Sequence, residues 1–383
     1  MKTVLALNAG SATLKFALYR ADGLELLARG LVDHWGADGQ HLTISGAATF
    51  DGPVEGDAEA AIAFILDWQR RQWPNAEVAA VGHRIVHGGA DYRGPRLVTP
   101  EVAAKLEALS SLAPLHQPAG LLGLRLAQHA CPVPQVASFD TAFHRTMSET
   151  AARIALPREY EAQGIRRYGF HGLSYAYIAG RLVTLDPALA KGCVIVAHLG
   201  SGASLCAMQN GQSVDTTMGF SALDGLVMGT RTGDIDPGVL LHLLQGGMGE
   251  PELSDLLYRR SGLFGVSGIS ADMRTLLASD EVSAKEAIDL YVHRIGRETG
   301  ALAAMLGGLD GFVFTAGVGE NAAAIRTLVC KQLEWLSFSL NEPANAQSGE
   351  RRISTADSKA VWVIPTDEEQ VIAREAAGLT SSG

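Results

Sequence analysis

Twice in this chain an apolar run of strand type ends in a turn of small residues and then resumes as a second strand. The first copy runs through residues 4–8, the turn Ala9-Gly10-Ser11-Ala12-Thr13 and residues 14–19. The second runs through residues 194–198, the turn Leu199-Gly200-Ser201-Gly202-Ala203-Ser204 and residues 205–208. Superposing Gly10 on Gly200 offsets the copies by 190 residues, about half of the 383. The echo points to a duplicated α/β domain, and two similar halves imply a cleft between them. The plainer alternative is a pair of unrelated hairpins that both use glycine.

Length and composition agree with two domains, since 383 residues exceed one ordinary core. With 47% hydrophobic and 19% charged residues the chain can bury a sizeable interior. A net charge of −10 argues against nucleic acid or an anionic membrane as partner, because both attract a basic face. Any phosphate must then meet a local positive site. The start, MKTVLALNAGSATLKF, reaches polar Asn8 and a glycine turn where a signal peptide would stay apolar, so it reads as mature structure. No run approaches the roughly 18 apolar residues of a membrane span. Cys131, Cys193, Cys206 and Cys330 show no zinc or redox spacing, which points to reduced thiols and a cytoplasmic location.

Between the hairpins, periodicity predicts helices over 57–70 and 101–109, the latter capped by Thr99 with Pro100 in its first turn. Residues 78–86 and 133–139 read as buried strands. Further on, Asp236-Pro237 opens a helix to 244, 284–305 is a long helix, and 311–315 is a strand entering a glycine turn. A strand at 361–365 precedes a last helix from about Asp367, with 378–383 expected to fray. No low-complexity linker separates the halves, so they should share an interface and move as rigid bodies about a hinge.

The loops carry the chemistry. Small residues in a tight turn let backbone N–H groups approach phosphate oxygens, and hydroxyls at Ser11, Thr13, Ser201 and Ser204 can add donors or a metal-facing oxygen. Lys15 is either a charge partner or an ordinary exposed strand lysine. Ala316-Gly317-Val318-Gly319-Glu320-Asn321 follows a strand and is expected to lead into a helix near Ala322, an arrangement that binds anions or is simply structural. Arg84 and Arg231 stand in glycine-flanked segments, one in each half, and suggest a clamp on phosphate or carboxylate. Phosphoryl transfer needs such cations and a metal more than it needs covalent chemistry from the protein. Asp140, just past a buried strand, is a candidate to hold a metal or orient an acceptor, or else a turn cap. His116 and His171 lie in Pro- or Gly-punctuated loops beside apolar residues, while His83, His87, His144 and His198 read as framework or as helpers that orient arginines and loops.

Taken together, these segments closely resemble the acetate/butyrate kinase group. The resemblance rests on residues 5–15 (LALNAGSATLK), 81–89 (VGHRIVHGG), 139–144 (FDTAFH), 168–172 (YGFHG), 228–237 (MGTRTGDIDP), 314–321 (FTAGVGEN) and 365–369 (PTDEE), in order, from Val4 to about Ala373. Agreement of seven ordered motifs by chance is negligible. The fold it implies is a duplicated, actin-like (ribonuclease H-like) pair of α/β domains around a nucleotide cleft. The expected division is 1–140 plus 369–383 as the acyl-kinase domain, and 141–368 as the nucleotide-binding domain.

The activity implied is reversible, in-line transfer of the ATP γ-phosphoryl group to acetate, with Mg²⁺ or alternatively Mn²⁺, by a homodimer. By the same resemblance Arg84 and Arg231 hold substrate and stabilise the phosphoryl group in flight. Asp140 positions the nucleophile or the metal, and His171 donates to the phosphoryl oxygens. His116 helps to bind the acyl group, while Val86, Leu115, Phe170 and Ala222 build its pocket. Asn8, Ser11, Thr13 and Lys15 line the phosphate path, and Asn8 and Glu368 are the metal residues. Gly200, Ser201 and Gly202 form the second phosphate loop, and His198, Asp272, Met273, Arg274, Gly317, Val318, Gly319 and Asn321 also bind the nucleotide.

Four positions depart from the family pattern: Ala12 and Asp367 replace a usual serine and asparagine, Ser201 an asparagine, and Ala222 a proline. The changes at Ala12 and Ser201 predict slower or weaker nucleotide use, and Ala222 a pocket that admits propionate. Propionate or butyrate kinase is the alternative within the enzyme class. A nucleotide-binding relative that has lost transfer is the alternative outside it.

Overall fold

The protein is described by a computed structural model, covering residues 1–114 and 116–380. Leu115, expected in the acyl pocket, lies outside the described residues. The chain divides into two compact units, one of Met1–Phe143 with the segment from Asp367 onward, the other of His144–Thr366.

In the first unit the strands are β1 (Lys2–Ala9), β2 (Thr13–Arg20), β3 (Leu26–Asp33), β4 (His41–Gly46), β5 (Phe50–Pro53), β6 (Glu77–Ile85), β7 (Arg96–Leu97) and β8 (Gln135–Phe139). They form one sheet in the order β5-β4-β3-β2-β1-β6-β8-β7. β1 pairs antiparallel with β2 and parallel with β6, and all of it after Lys2 is buried, so it reads as a continuous apolar run rather than an alternating one. The predicted helices are present as Ala58–Gln72, capped by the Asp57 side chain, and Pro100–Ala108, capped by Thr99.

The last helix, Glu368–Thr380, packs on β1, β6 and β8. It approaches so closely at Gly82 that a Cβ there would lie 2.6 Å from Ile372 Cγ2 and 3.0 Å from the Ile372 carbonyl oxygen. This contact explains Gly82, the first of the three glycines in 81–89, and brings the last helix beside β1. The helix runs through Gly378 to Thr380, beyond the expected fraying point, with the Thr380 hydroxyl donating to the Ala376 carbonyl.

The second unit holds β9 (Cys193–Leu199), β10 (Ala203–Gln209), β11 (Gln212–Thr216), β12 (Gly311–Thr315), β13 (Arg351–Arg352) and β14 (Ala360–Val363), in the order β11-β10-β9-β12-β14-β13. Strands β3-β2-β1-β6-β8 of the first sheet and β11-β10-β9-β12-β14 of the second follow one plan. In each, three antiparallel strands formed by successive hairpins are followed by two strands added in parallel. The hairpin echo is thus the visible part of a duplicated actin-like fold.

The copies differ in their turns. Ala9 pairs with Leu14 in the first hairpin, but Leu199 pairs with Ala203 in the second, which is one residue tighter. The segment 316–321 also departs from expectation. Helix begins at Ala316, immediately after β12, and a second helix, Ala323–Gln332, follows. Ala316 takes φ 64°, so the chain turns from strand to helix at one residue and the glycines fall inside the helical turn. Among the described residues no helix is long and apolar enough to cross a membrane.

Candidate active site

In the first unit four expected residues converge. Asn8 is next to last in β1, Arg84 lies near the end of β6, Asp140 follows β8, and Glu368 opens the last helix. Arg84 donates from Nη2 to Asp140 Oδ2 at 2.6 Å and from Nε to both Asp140 oxygens, while Nη1 donates to Asn8 Oδ1 at 3.1 Å. Asn8 Nδ2 in turn donates to Glu368 Oε2 at 3.0 Å and to Glu369 Oε1 at 2.9 Å. Burial alone would lower the Arg84 pKa, but Asp140 and Glu368 raise it on balance, so the cation is secure. Asp140 is almost wholly buried and acts here as the partner that fixes the guanidinium plane.

Glu369, to which no role had been assigned, is buried beside Glu368. Burial and the charge of Glu368 push its carboxyl upward, against the Asn8 hydrogen bond and Lys15. Among the described residues no group of three or more His, Cys, Asp and Glu side chains could hold a metal ion alone. Two adjacent carboxylates in need of positive charge nonetheless suit Mg²⁺, which takes one or two carboxylates and fills its shell with water and substrate phosphate. In this arrangement Asn8 turns its amide nitrogen to the carboxylates and gives its oxygen to Arg84.

Ser11 and Thr13 lie in the first turn, and Lys15 pairs in register with Asn8 across β1 and β2. Val86 is buried just beyond β6, and His116 precedes the helix Gln117–Ala130. His83 and His87 are framework: His83 Nε2 meets Gln135 Oε1 at 2.7 Å, His87 Nδ1 accepts from the Gly89 N–H, and burial lowers both to about 4.

In the second unit His171 is the N-terminal flanking residue of the helix Gly172–Leu185, in the left-handed region at φ 58°. Its ring stacks on that of His198, with centroids 4.1 Å apart and planes 17° apart. A Cβ built on Gly202 would lie 3.5 Å from both His171 Nε2 and Arg231 Nη1, so loop, histidine and arginine meet at one point. Arg231 Nη1 also donates to the Ala222 carbonyl at 3.1 Å, a contact that a proline there would keep. Phe170 is buried, and its carbonyl meets His144 Nε2 at 2.8 Å. His144 Nδ1 meets Ser213 Oγ at 2.8 Å, and burial lowers its pKa to about 4.

In this unit the Gly200–Gly202 turn touches two segments, at Gly229 and at Ala316. The Gly229 N–H donates to the Ser201 carbonyl at 3.1 Å, and a Cβ on Gly229 would approach both Ser201 and Ala271. Gly200 faces Ala316, at the start of the helical turn that carries Gly317, Val318, Gly319 and Asn321. Asn321 closes that turn by donating to the Gly317 carbonyl. Asp272 caps the helix Met273–Leu277 and pairs with the exposed Arg274, while Met273 is buried.

Several residues take a part in the structure that was not expected from the sequence. Ser204 was expected to offer its hydroxyl to phosphate or metal; it is fully buried and faces His171 and Tyr175 instead, because it follows the turn by two residues and points inward from β10. Asp367 compensates for its departure from asparagine: its carboxylate accepts from Tyr19, Arg29 and the Gln370 N–H, which pins the start of the last helix. Arg326, buried in the helix Ala323–Gln332, donates to the carbonyls of Gly319, Glu320 and Asn345 and so braces the nucleotide turn. Of Glu369 and Arg326, neither of which was given a role from the sequence, only the doubled acid at 368–369 left a sequence signal.

A duplicated actin-like fold with glycine turns in both copies, an arginine fixed by a buried carboxylate and a histidine–arginine pair at the second turn defines a phosphotransferase. The chain belongs to the acetokinase family, whose sequence pattern matches residues 3–374. An acetate kinase of Rhodopseudomonas palustris is 52% identical to it, with 99% of each chain covered. Among solved structures, a propionate kinase from Francisella tularensis subsp. tularensis is similar with a TM-score of 0.92 at 36% identity, covering 99% of this chain and 100% of that one. A Porphyromonas gingivalis acetate kinase is similar with a TM-score of 0.88 at 37% identity, over 99% and 100%.

Proposed function

We propose that this enzyme transfers the γ-phosphoryl group of ATP to the carboxylate of acetate, reversibly, giving acetyl phosphate and ADP. The observation that carries the reading is the Arg84 guanidinium, held in one plane by Asp140 and Asn8 next to the Glu368–Glu369 carboxylates. The first unit supplies Arg84, the metal residues and part of the phosphate path, and the second supplies the nucleotide pocket together with Phe170 and Ala222.

Acetate is ionised near neutrality, so its oxygen attacks phosphorus without a general base. The bond from phosphorus to the β–γ bridging oxygen breaks as the new one forms, and ADP leaves with that oxygen. Charge spread over the equatorial oxygens is met by Arg84, Arg231 and His171, each held by contacts within its own unit. Mg²⁺, with Mn²⁺ as a substitute, fits at Glu368 beside Asn8 and supplies charge neutralisation of the nucleotide phosphates. Ser11, Thr13, Lys15, Gly200, Ser201 and Gly202 line the phosphates, and His116, Val86, Phe170 and Ala222 receive the acyl group. Asp272, Met273, Arg274, Gly317, Val318, Gly319 and Asn321 form the nucleotide pocket, and His198, stacked on His171, serves the nucleotide from the side of its phosphates.

Ala222 favours a second substrate: it is smaller than the proline expected there, and a pocket separates neighbouring acids by only about 1–3 kcal/mol per methylene. The four cysteines are free, in keeping with a cytoplasmic location, and the net charge of −10 offers nothing to nucleic acid or anionic lipid. A homodimer is supported by the helix Pro237–Gln245, none of whose residues is buried although it carries Val239, Leu241 and Leu244.

Trapping the acyl phosphate with hydroxylamine, with ATP, Mg²⁺ and acetate, propionate or butyrate, tests the assignment. The highest kcat/KM is expected with acetate. A higher value with propionate would reassign the substrate, and no product from folded, ATP-binding protein would leave only nucleotide binding.

A further inference from the structure

A neutral imidazole carries its proton on one nitrogen only, and the hydrogen bond made by the other decides which. For His171 to donate toward a phosphoryl oxygen from the side facing Gly202 and Arg231, the proton has to be on Nε2. Behind the ring, His171 Nδ1 lies 2.8 Å from Ser204 Oγ, and the same oxygen lies 2.5 Å from the Tyr175 hydroxyl. Ser204 and Tyr175 are both fully buried. Tyr175 is one helical turn past His171 on the helix Gly172–Leu185, so the two side chains share a face, and Ser204 reaches both from β10. The neighbouring Ser174 meets His198 Nδ1 at 2.9 Å, holding the ring on which His171 stacks.

A phenol is a stronger acid than an alcohol and is the better donor of the pair. With Tyr175 donating to Ser204, the serine proton is left for His171 Nδ1, and the imidazole proton is placed on Nε2. The reverse order would protonate Nδ1 and turn a bare lone pair toward an arriving anion. We infer that Tyr175 and Ser204 are positioning residues: the hydroxyl relay from Tyr175 through Ser204 to Nδ1 keeps the His171 proton on Nε2 and its ring aimed at the Gly202–Arg231 point. The inference rests on the reading of His171 as a donor to the transferred group.

Histidine-selective ¹⁵N labelling of the full-length protein, with the His171 signals assigned from a His171→Gln spectrum, reads the tautomer without any turnover. The wild type should show a hydrogen-bonded, unprotonated Nδ1 and a protonated Nε2, and Ser204→Ala should shift Nδ1 toward the protonated, exchange-averaged position. In the kinetic arm, Ser204→Ala and Tyr175→Phe should each lower kcat about 10-fold or more with KM for ATP and acetate little changed, a loss of orientation rather than of binding. Ser204→Thr, which restores a hydroxyl, should recover the wild-type Nδ1 signal. A protonated Nδ1 in the wild type, or spectra indifferent to both variants, would overturn the relay whatever the rates. A tautomer that shifts in Ser204→Ala while kcat stays normal would uphold the relay and refute the donor role of His171.

Discussion

Arg84 has Nε and Nη2 engaged by Asp140 and Nη1 by Asn8 in the protein itself, so its orientation is set by the fold and not by substrate. A lysine could supply the charge but not the fork. Arg84→Ala and Arg84→Lys should therefore both lower kcat by about 10²–10³-fold, the scale of losing one aimed electrostatic donor. Near-normal turnover in the lysine variant would mean that charge without geometry suffices. The neighbouring His83 gives a pH prediction. Burial lowers its pKa to about 4, below the ordinary value of about 6.5, so between those values the unfolded chain binds a proton that the folded one refuses. This contribution to stability is intact above pH 6.5 and is lost as the pH falls toward 4. His83→Gln lacks the titration, so the stability gap between it and the wild type should narrow from pH 7 to pH 5 in urea unfolding, and a constant gap would contradict the burial argument.

Among elements, the last helix decides whether the acidic pair reaches Asn8. Its start is capped by Asp367, which also accepts from Tyr19 and Arg29, and its body lies against Gly82 at a separation that leaves no room for a Cβ. Gly82→Ala should lift the helix off β6, lower stability by about 1–3 kcal/mol in the manner of an overpacked core, and raise the Mg²⁺ concentration needed for half-maximal activity. Unchanged metal dependence in a destabilised variant would separate packing from site assembly. The helices and strands that were predicted were legible because caps such as Thr99 and Asp236 and the apolar runs are local signals, whereas β3, β4, β5 and the helices Gln117–Ala130 and Gly172–Leu185 were not read from the sequence. The helical turn at Ala316 was not, since three small residues around a positive φ read as a loop and only packing against Gly200 and Arg326 makes them helical.

For the whole molecule, the apolar face of Pro237–Gln245 is one feature that the isolated chain leaves unexplained. Leu241 is 60% exposed and Leu244 43%, with Phe264 and Val266 also exposed in the nearby sequence. Large exposed apolar patches mark association surfaces, and a second copy is the partner that the proposed homodimer supplies. Leu241→Glu with Leu244→Glu should shift sedimentation from dimer to monomer while unfolding of the monomer stays cooperative. A double variant that remains dimeric would place the interface elsewhere.

What the amino-acid sequence determined alone was everything carried by short range: the hairpin echo, the caps, the free thiols, the charge balance and the seven ordered motifs that identify the family. Tertiary structure decided which of those pieces meet. Asn8 and Glu368 are neighbours because helix 368–380 docks on β1 and β6, and Ser204 faces a histidine rather than a phosphate because β10 turns it inward. Likewise Arg326 braces a turn that its own helix gives no hint of. The physical reason is that periodicity and capping act over a few residues, whereas the meeting of side chains hundreds of residues apart is set by how sheets and helices pack.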